Sequence, residues 1–210
     1  MIGPNGAGKS TFVNTVSGVY EPTKGRVYFQ GQDITSKKST QNCHQGLTRT
    51  FQHTRSFPKY SVLKNVMIGA IFGRGKRISN SEARDLALEA LDFVEFKLSY
   101  NQPASSLNTV QLKRVELARC LATGCEMLFL DEIAAGLTTG ELNNYIKMIK
   151  KIREEKQITL LVIEHLMKFI MGVSDRIAVL NFGDLIAVGT PEEISNNPKV
   201  KEAYLGKGEN

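Results

Sequence analysis

No run of roughly eighteen apolar residues occurs in this sequence, so nothing in it reads as a membrane-spanning helix. Cysteine is scarce. Cys43, Cys120 and Cys125 are odd in number and fit neither a disulfide framework nor zinc-ligand spacing, which points to reduced thiols in a cytosolic protein. No secretory leader precedes the first motif, so the expectation is that any membrane connection is peripheral. Internal repeats, heptads and low-complexity tracts are missing as well, which argues against solenoids, coiled coils and disordered arms.

What is present fits one folded domain. With 210 residues, 41% of them apolar, the chain can bury a substantial core, and the length suggests a single domain with a possible inserted subdomain. Lysine and arginine number 27 against 21 acidic residues, a net charge of +6. That balance permits nucleic acid, an anionic membrane face or a nucleotide as partner and selects none of them.

Helical and strand patterns alternate along the chain, which favours an α/β sheet. Residues 10–18 continue a glycine-rich opening as a helix that ends at Gly18, and "GRVYFQGQDI" (25–34) reads as strand, glycine turn and strand. Leu86, Ala90, Leu91 and Val94 recur at helical spacing within 82–98, in a neighbourhood that looks like a helical insert. "SLNTVQLKRVELARCLAT" is a second helix, with Asn108 or Thr109 available as cap and Val115, Ala118 and Leu121 on one face. "EMLFLDE" reads as a buried strand ending in two carboxylates, residues 140–155 as a helix, and "ITLLVIEH" as another buried strand. "RIAVLNFGDLIAVG" reads as a hairpin turning at Asn181 to Asp184.

Gly3, Pro4, Asn5, Gly6, Ala7, Gly8, Lys9 and Ser10 satisfy Gly-x4-Gly-Lys-Ser/Thr in full, and Thr11 follows in the helix. In such a loop the glycines let backbone approach phosphate oxygens and the helix start presents unsatisfied N–H groups. Lys9 reaches the terminal phosphates, and Ser10 offers a hydroxyl to Mg²⁺. A phosphate loop also needs a carboxylate from a second strand. Asp131 would bind the metal, directly or through water, and Glu132 would orient and polarise the attacking water. His165 follows the next buried strand and Gln52 lies in "RTFQHTRSF". Either alone reads as an ordinary structural or loop residue.

The order of these elements, a phosphate loop, Gln52, a capped helix start near 107, Asp131–Glu132 and then His165, resembles the ATP-binding cassette family over essentially the whole chain. "LTRTFQHTRSFPKYSVLKNV", "DEIAAGL" and "VIEHLMKFIMGVSDRIAVLNFGDLIAVGTPEEISNNPKVKEAYLG" look like the ATPase subunits of branched-chain amino acid importers. The resemblance implies an α/β phosphate-loop cassette, with a mainly parallel core sheet and a helical subdomain inserted at about 53–123. It also implies ATP and Mg²⁺ as ligands, the metal held by Ser10, Gln52 and Asp131. Gln52 would couple metal and water to transmembrane permease subunits, and His165 would be the switch histidine. The permeases and a second, different ATPase subunit would be the partners, a solute-binding protein would act only indirectly, and no nucleic acid is expected. The implied location is peripheral, on the cytoplasmic face of the plasma membrane.

The pattern breaks in places. The family signature, Leu-Ser-Gly-Gly-Gln or a close variant, falls on "LNTVQ" (107–111), with Asn108 at the serine and Val110 at the second glycine. Asn108 can still cap the helix, whereas Val110 puts a branched side chain where backbone must approach phosphate, so weaker closure on ATP is expected. Two such chains would pair two damaged signatures with two good loops. A different partner with an intact signature would leave one competent site. Ile133 replaces the family's usual proline and changes loop stiffness; Thr138 replaces an Asp or Asn and weakens communication between sites. Family members also begin earlier, with strands that carry an adenine-stacking aromatic and feed the phosphate loop. Only Met1 and Ile2 remain of that feeding strand, so a truncated or decayed reading frame, a fragment or a start-site error is expected. The lost burial would rival a typical stability of about 5–15 kcal/mol. Three readings compete with a transport ATPase: a non-hydrolytic nucleotide-binding or assembly subunit, a soluble cassette protein acting on nucleic acid, and an inactive fragment.

Overall fold

The computed structural model describes residues 1–51 and 55–205. In chain order the elements are α1 (Lys9–Val16), β1 (Tyr28–Phe29), β2 (Gln32–Asp33), α2 (Ser39–His44), β3 (Leu47–Arg49), α3 (Val62–Gly73) and α4 (Asn80–Phe93). A 3₁₀ turn at Ala104–Ser106 leads to α5 (Thr109–Ala122), β4 (Met127–Asp131), α6 (Thr139–Lys156), β5 (Thr159–Ile163) and α7 (Met167–Val173). The chain then runs through β6 (Ile177–Asn181), β7 (Asp184–Gly189), α8 (Pro191–Asn196) and α9 (Pro198–Leu205).

β4 lies between β3 and β5, parallel to both, with Leu128 opposite Thr48 on one side and Leu160 on the other. Its side chains alternate between two apolar layers because a strand has a period of two. Leu128 and Leu130 enter the large core with residues of α5 and α6, while Phe129 enters a smaller one with Val13, Ile34, Leu47 and Ile163. All three β4 residues are almost completely buried, as an apolar strand covered on both faces must be. Asp131 ends this strand, so the apolar run that drives burial also delivers a carboxylate to the carboxyl edge of the sheet.

β5 is less buried than its apolar sequence suggests. Val162 and Ile163 are covered, but Leu160 and Leu161 are only partly so and Thr159 is exposed. The reason is on its outer side. Among the described residues only Met1 and Ile2 occupy the sheet position between β5 and β6. The Met1 nitrogen donates to Val162 O, Ile2 N donates to Ala178 O and Leu180 N donates to Ile2 O. Beside them a cavity of about 320 Å³ opens between Leu160 to Val162 and Arg176 to Ala178. β6 and β7 form the expected hairpin, which turns through Phe182 and Gly183, both with positive φ (48° and 90°) as a two-residue turn of this hand requires.

α3, α4 and α5 pack on one another as a three-helix group, and α5 also contributes to the core that covers β4. The helix foreseen over 82–98 starts earlier and ends at Phe93, because Glu95 turns left-handed at φ 54°. α3 and α5 approach so closely that a Cβ on Gly69 would stand 2.3 Å from Arg119 O. Asn65, fully buried on α3, offers its side chain to the preceding turn, accepting from Phe57 N and donating to Phe57 O, Tyr60 O and Ser61 O. This satisfies a buried amide completely and fixes the entry to the three-helix group.

Gly69→Ala is expected to lower stability by about 1–3 kcal/mol through overpacking of α3 on α5. Thermal unfolding checks this; an exposed glycine with open space around it, Gly140→Ala, is the control.

Candidate functional site

The loop from Gly3 to Gly8 wraps the start of α1. Gly8 is the N-cap residue, at φ 93°, and it brings no side chain to the first backbone N–H groups. No acidic residue stands in the first turn. The helix start therefore keeps its partial positive charge and its donors for an anion. Gly3 is required for a different reason: a Cβ there would be 2.2 Å from Leu180 O. The β6–β7 turn braces the other end, where Gly183 N donates to Ala7 O at 3.1 Å. Ser10 and Thr11 are exposed on the first turn.

Lys9 arches back over the loop. Its Nζ donates to Gly3 O at 2.8 Å and Pro4 O at 3.0 Å, and the residue is only 6% exposed. Burial pushes the ammonium below its ordinary pKa, while Glu132 and Asp131 pull it back. The phosphate loop and the β4 acids thus share one electrostatic environment although more than a hundred residues separate them in sequence.

Asp131 is buried beside Arg49, with Nη2 to Oδ2 at 3.3 Å, and its own N–H donates to Thr50 Oγ1. Burial raises its carboxyl above the ordinary value, and the Arg49 charge is the strongest of the influences opposing that rise. Arg49 also reaches Asn14 Oδ1 and Ser17 Oγ, tying α1 to the ends of β3 and β4. Glu132 turns out of the strand in the left-handed region, at φ 49°, and its Oε1 lies 3.1 Å from His165 Nε2. Lys9, Asp131, Glu132 and His165, all named from sequence, therefore gather at one edge of the sheet. Gln52 lies outside the described residues. Its neighbour Phe51 donates its N–H to Glu116 Oε1 at 3.2 Å, and the guanidinium groups of Arg49 and Arg55 lie 4.9 and 5.0 Å from the centre of the Phe51 ring.

At the start of α5, Asn108 is the cap. Its Oδ1 accepts from Gln111 N at 2.9 Å and Gln111 Oε1 accepts from Asn108 N at 2.9 Å, a closed reciprocal box. Val110 is half-buried against the large core. Thr138 has a local duty as the cap of α6, where its N–H and hydroxyl both donate to Glu141.

Sequence reasoning passed over Arg49, Lys113, Glu116 and Glu164. Only Glu164 carried a signal, an acid at the end of an apolar strand and next to His165; it is 2% exposed, and burial raises its carboxyl above the ordinary value. As for ligands, the donors fit. An uncapped helix start with a lysine above it suits polyphosphate, and Asp131 with the Ser10 hydroxyl is a hard-oxygen set of the kind Mg²⁺ takes.

The family model described as ABC transporter matches residues 1–135, and that of the branched-chain amino acid ATP-binding cassette transporter matches residues 185–210. The high-affinity branched-chain amino acid transport ATP-binding protein LivG of Escherichia coli (strain K12) is 41% identical over 219 residues, covering 99% of this chain and 86% of that protein. BraF of Pseudomonas aeruginosa, which carries the same description, is 38% identical over the same shares. Among solved structures, the ADP conformation of an ATP-binding cassette of an ABC transporter aligns with a TM-score of 0.85 at 32% identity, covering 98% of this chain and 86% of that one. A nucleotide-free cassette aligns at 0.83 with 33% identity, covering 98% and 87%.

Arg49→Met would leave Asp131 buried without its cation. A loss of about 3–5 kcal/mol is expected at pH 7. Because the folded Asp131 pKa is raised above the unfolded one, the ionised form is what strains the fold, so the deficit should shrink as pH falls through the folded pKa and the carboxyl takes a proton. Denaturant unfolding at pH 7 and pH 5, in chelator, checks both the size and the direction.

Proposed function

The chain belongs to the ATP-binding cassette transporter family, and on that premise we propose that it is the ATP-hydrolysing subunit of a branched-chain amino acid importer. It works at the cytoplasmic face of the plasma membrane as a peripheral subunit that drives transmembrane permease subunits, while a solute-binding protein touches it only indirectly. No helix among the described residues is long and apolar enough to cross a membrane. The solute class rests on LivG and BraF, whose names carry branched-chain amino acid transport.

The observation that carries the reaction is the gathering of Lys9, Asp131, Glu132 and His165 at one sheet edge beside an uncapped helix start. ATP is the substrate. Backbone N–H groups of the Gly3–Thr11 segment, Pro4 excepted because it has none, and the Lys9 ammonium bind its phosphates, which requires Lys9 to leave the Gly3 and Pro4 carbonyls. The Glu132 carboxylate orients a water for in-line attack on the terminal phosphoryl group, and His165 holds that carboxylate and reaches toward the phosphate. Asp131 and Ser10, with Gln52, would hold Mg²⁺, which when bound neutralises charge on the phosphate oxygens.

The partner is a second cassette of different sequence. In such pairs the α5 start of one subunit serves the phosphates bound by the other, and here that start is closed by the Asn108–Gln111 box and carries Val110. A partner with an intact signature would complete the site built on this chain's own loop, whereas a pair of identical chains would hydrolyse slowly. The helical subdomain, expected at about 53–123, is the part that meets the permease. In support, Ile68, the exposed Phe72, Cys43 and Phe51 line an open cavity of about 210 Å³ between α3 and the end of β3.

Calorimetry with Mg²⁺ATP is expected to show binding that Lys9→Ala abolishes. With the partner cassette present, Glu132→Gln should cut turnover at least about 100-fold while ATP still binds. Equal turnover by the wild-type chain and the Glu132→Gln variant would sink the proposal.

A further inference from the structure

Glu132 reaches its position through a backbone conformation that a residue with a side chain seldom adopts, and such conformations persist only where the surroundings over-determine them. What fixes this one is a set of contacts to the loop that follows, residues 132–136. Glu132 N donates to Ile163 O at 2.9 Å, and Ala135 N donates back to Glu132 O at 3.4 Å. Three further backbone groups of the loop, Ala134 N, Ile133 O and Ala135 O, go to two charged side chains from different elements.

Glu164, at the end of β5, accepts from Ala134 N through Oε1 and from His165 N through Oε2. Lys113, on α5, donates its ammonium to Ile133 O at 2.9 Å and to Ala135 O. The division follows from chemistry. A carboxylate can take only the N–H groups and an ammonium only the carbonyls, so the loop is gripped on both kinds of backbone group. Burial lowers the Lys113 pKa, and Glu164 is the strongest of the acids that raise it again, ahead of Glu116 and Glu132. The two charges therefore support each other across the loop.

We propose that Lys113 and Glu164 are positioning residues that clamp the 132–136 loop and so set the aim of the Glu132 carboxylate. Glu164 fixes two partners at once, since it also holds the backbone of His165, whose ring bonds Glu132. Lys113 lies less than one turn beyond Gln111 in the capping box, so a shift at the start of α5 is transmitted to the loop through a single side chain. Neither residue touches substrate. The inference rests on reading Glu132 as the residue that activates water.

The test compares Lys113→Met, Lys113→Arg and Glu164→Gln. Gln keeps the volume of Glu164 but presents one acceptor and an NH₂ group to two N–H donors. Backbone amide exchange in the 210-residue chain is read first, because it needs no partner. Exchange at Ala134 should accelerate about tenfold or more in Glu164→Gln and Lys113→Met, with the amides of Leu128 to Leu130 unchanged. Turnover with the partner cassette is read second. In both variants kcat should fall by about 10- to 100-fold with KM for ATP held within about twofold, as for a displaced catalytic group, and Lys113→Arg should recover most of it. Unchanged exchange at Ala134 in both variants, or a kcat loss that arginine does not repair, overturns the clamp. A Glu132→Gln control that turns over like the wild-type chain would instead remove the reading of Glu132, and the exchange result would still decide whether Lys113 and Glu164 hold the loop.

Discussion

The charged groups of the candidate site depend on the burial of one strand that has no charge until its last residue. β4 is hydrogen-bonded along both edges and covered on both faces, and Leu128, Phe129 and Leu130 divide between two apolar layers. That enclosure forces Asp131 and Glu132 to the point where the sheet stops and water is excluded on most sides. It also fixes where the ends of β3 and β5 must lie, because parallel pairing aligns carboxyl ends with one another. Arg49 and Thr50 arrive beside Asp131 for that reason, and Glu164 and His165 arrive beside Glu132.

The charges gathered there are arranged in opposed pairs rather than left single. Lys9 is balanced by Asp131 and Glu132, Asp131 by Arg49, and Lys113 by the acids around it. Unpaired, each would be costly in so buried a place; paired, each carries a share of the geometry. Arg49 shows the economy of this arrangement. One guanidinium links the helix that follows the phosphate loop, the end of β3 and the acid on β4.

The sequence made the ends of this network legible and hid its middle. The phosphate loop, the paired acids, the β6–β7 hairpin and the Asn108 cap can all be read because each is specified by neighbours within a few positions: glycines, an apolar run before two carboxylates, an Asn-Phe-Gly turn, an Asn three residues before Gln. Lys113 and Glu116 have no such local mark, and Glu164 has only a faint one, an acid closing an apolar strand next to His165. Their importance comes from loops that the fold brings to them, and on the chain they are ordinary charges in a helix or at a strand end. β3 escaped notice because three residues carry too little pattern, although its register with β4 places Arg49. β5 read as a buried strand because composition reports apolarity but not how much neighbour a strand finds along its edge.

The contact between Gly183 N and Ala7 O gives the phosphate loop a debt to a hairpin near the other end of the chain, and Gly3 packs against Leu180 in the same region. During synthesis the loop emerges well before its brace. A nascent chain would therefore carry the phosphate loop through the synthesis of everything between Ala7 and Gly183 without the support that shapes it. The ability to hold a nucleotide would come late and abruptly, as a property of the finished domain rather than of the segment that bears the motif.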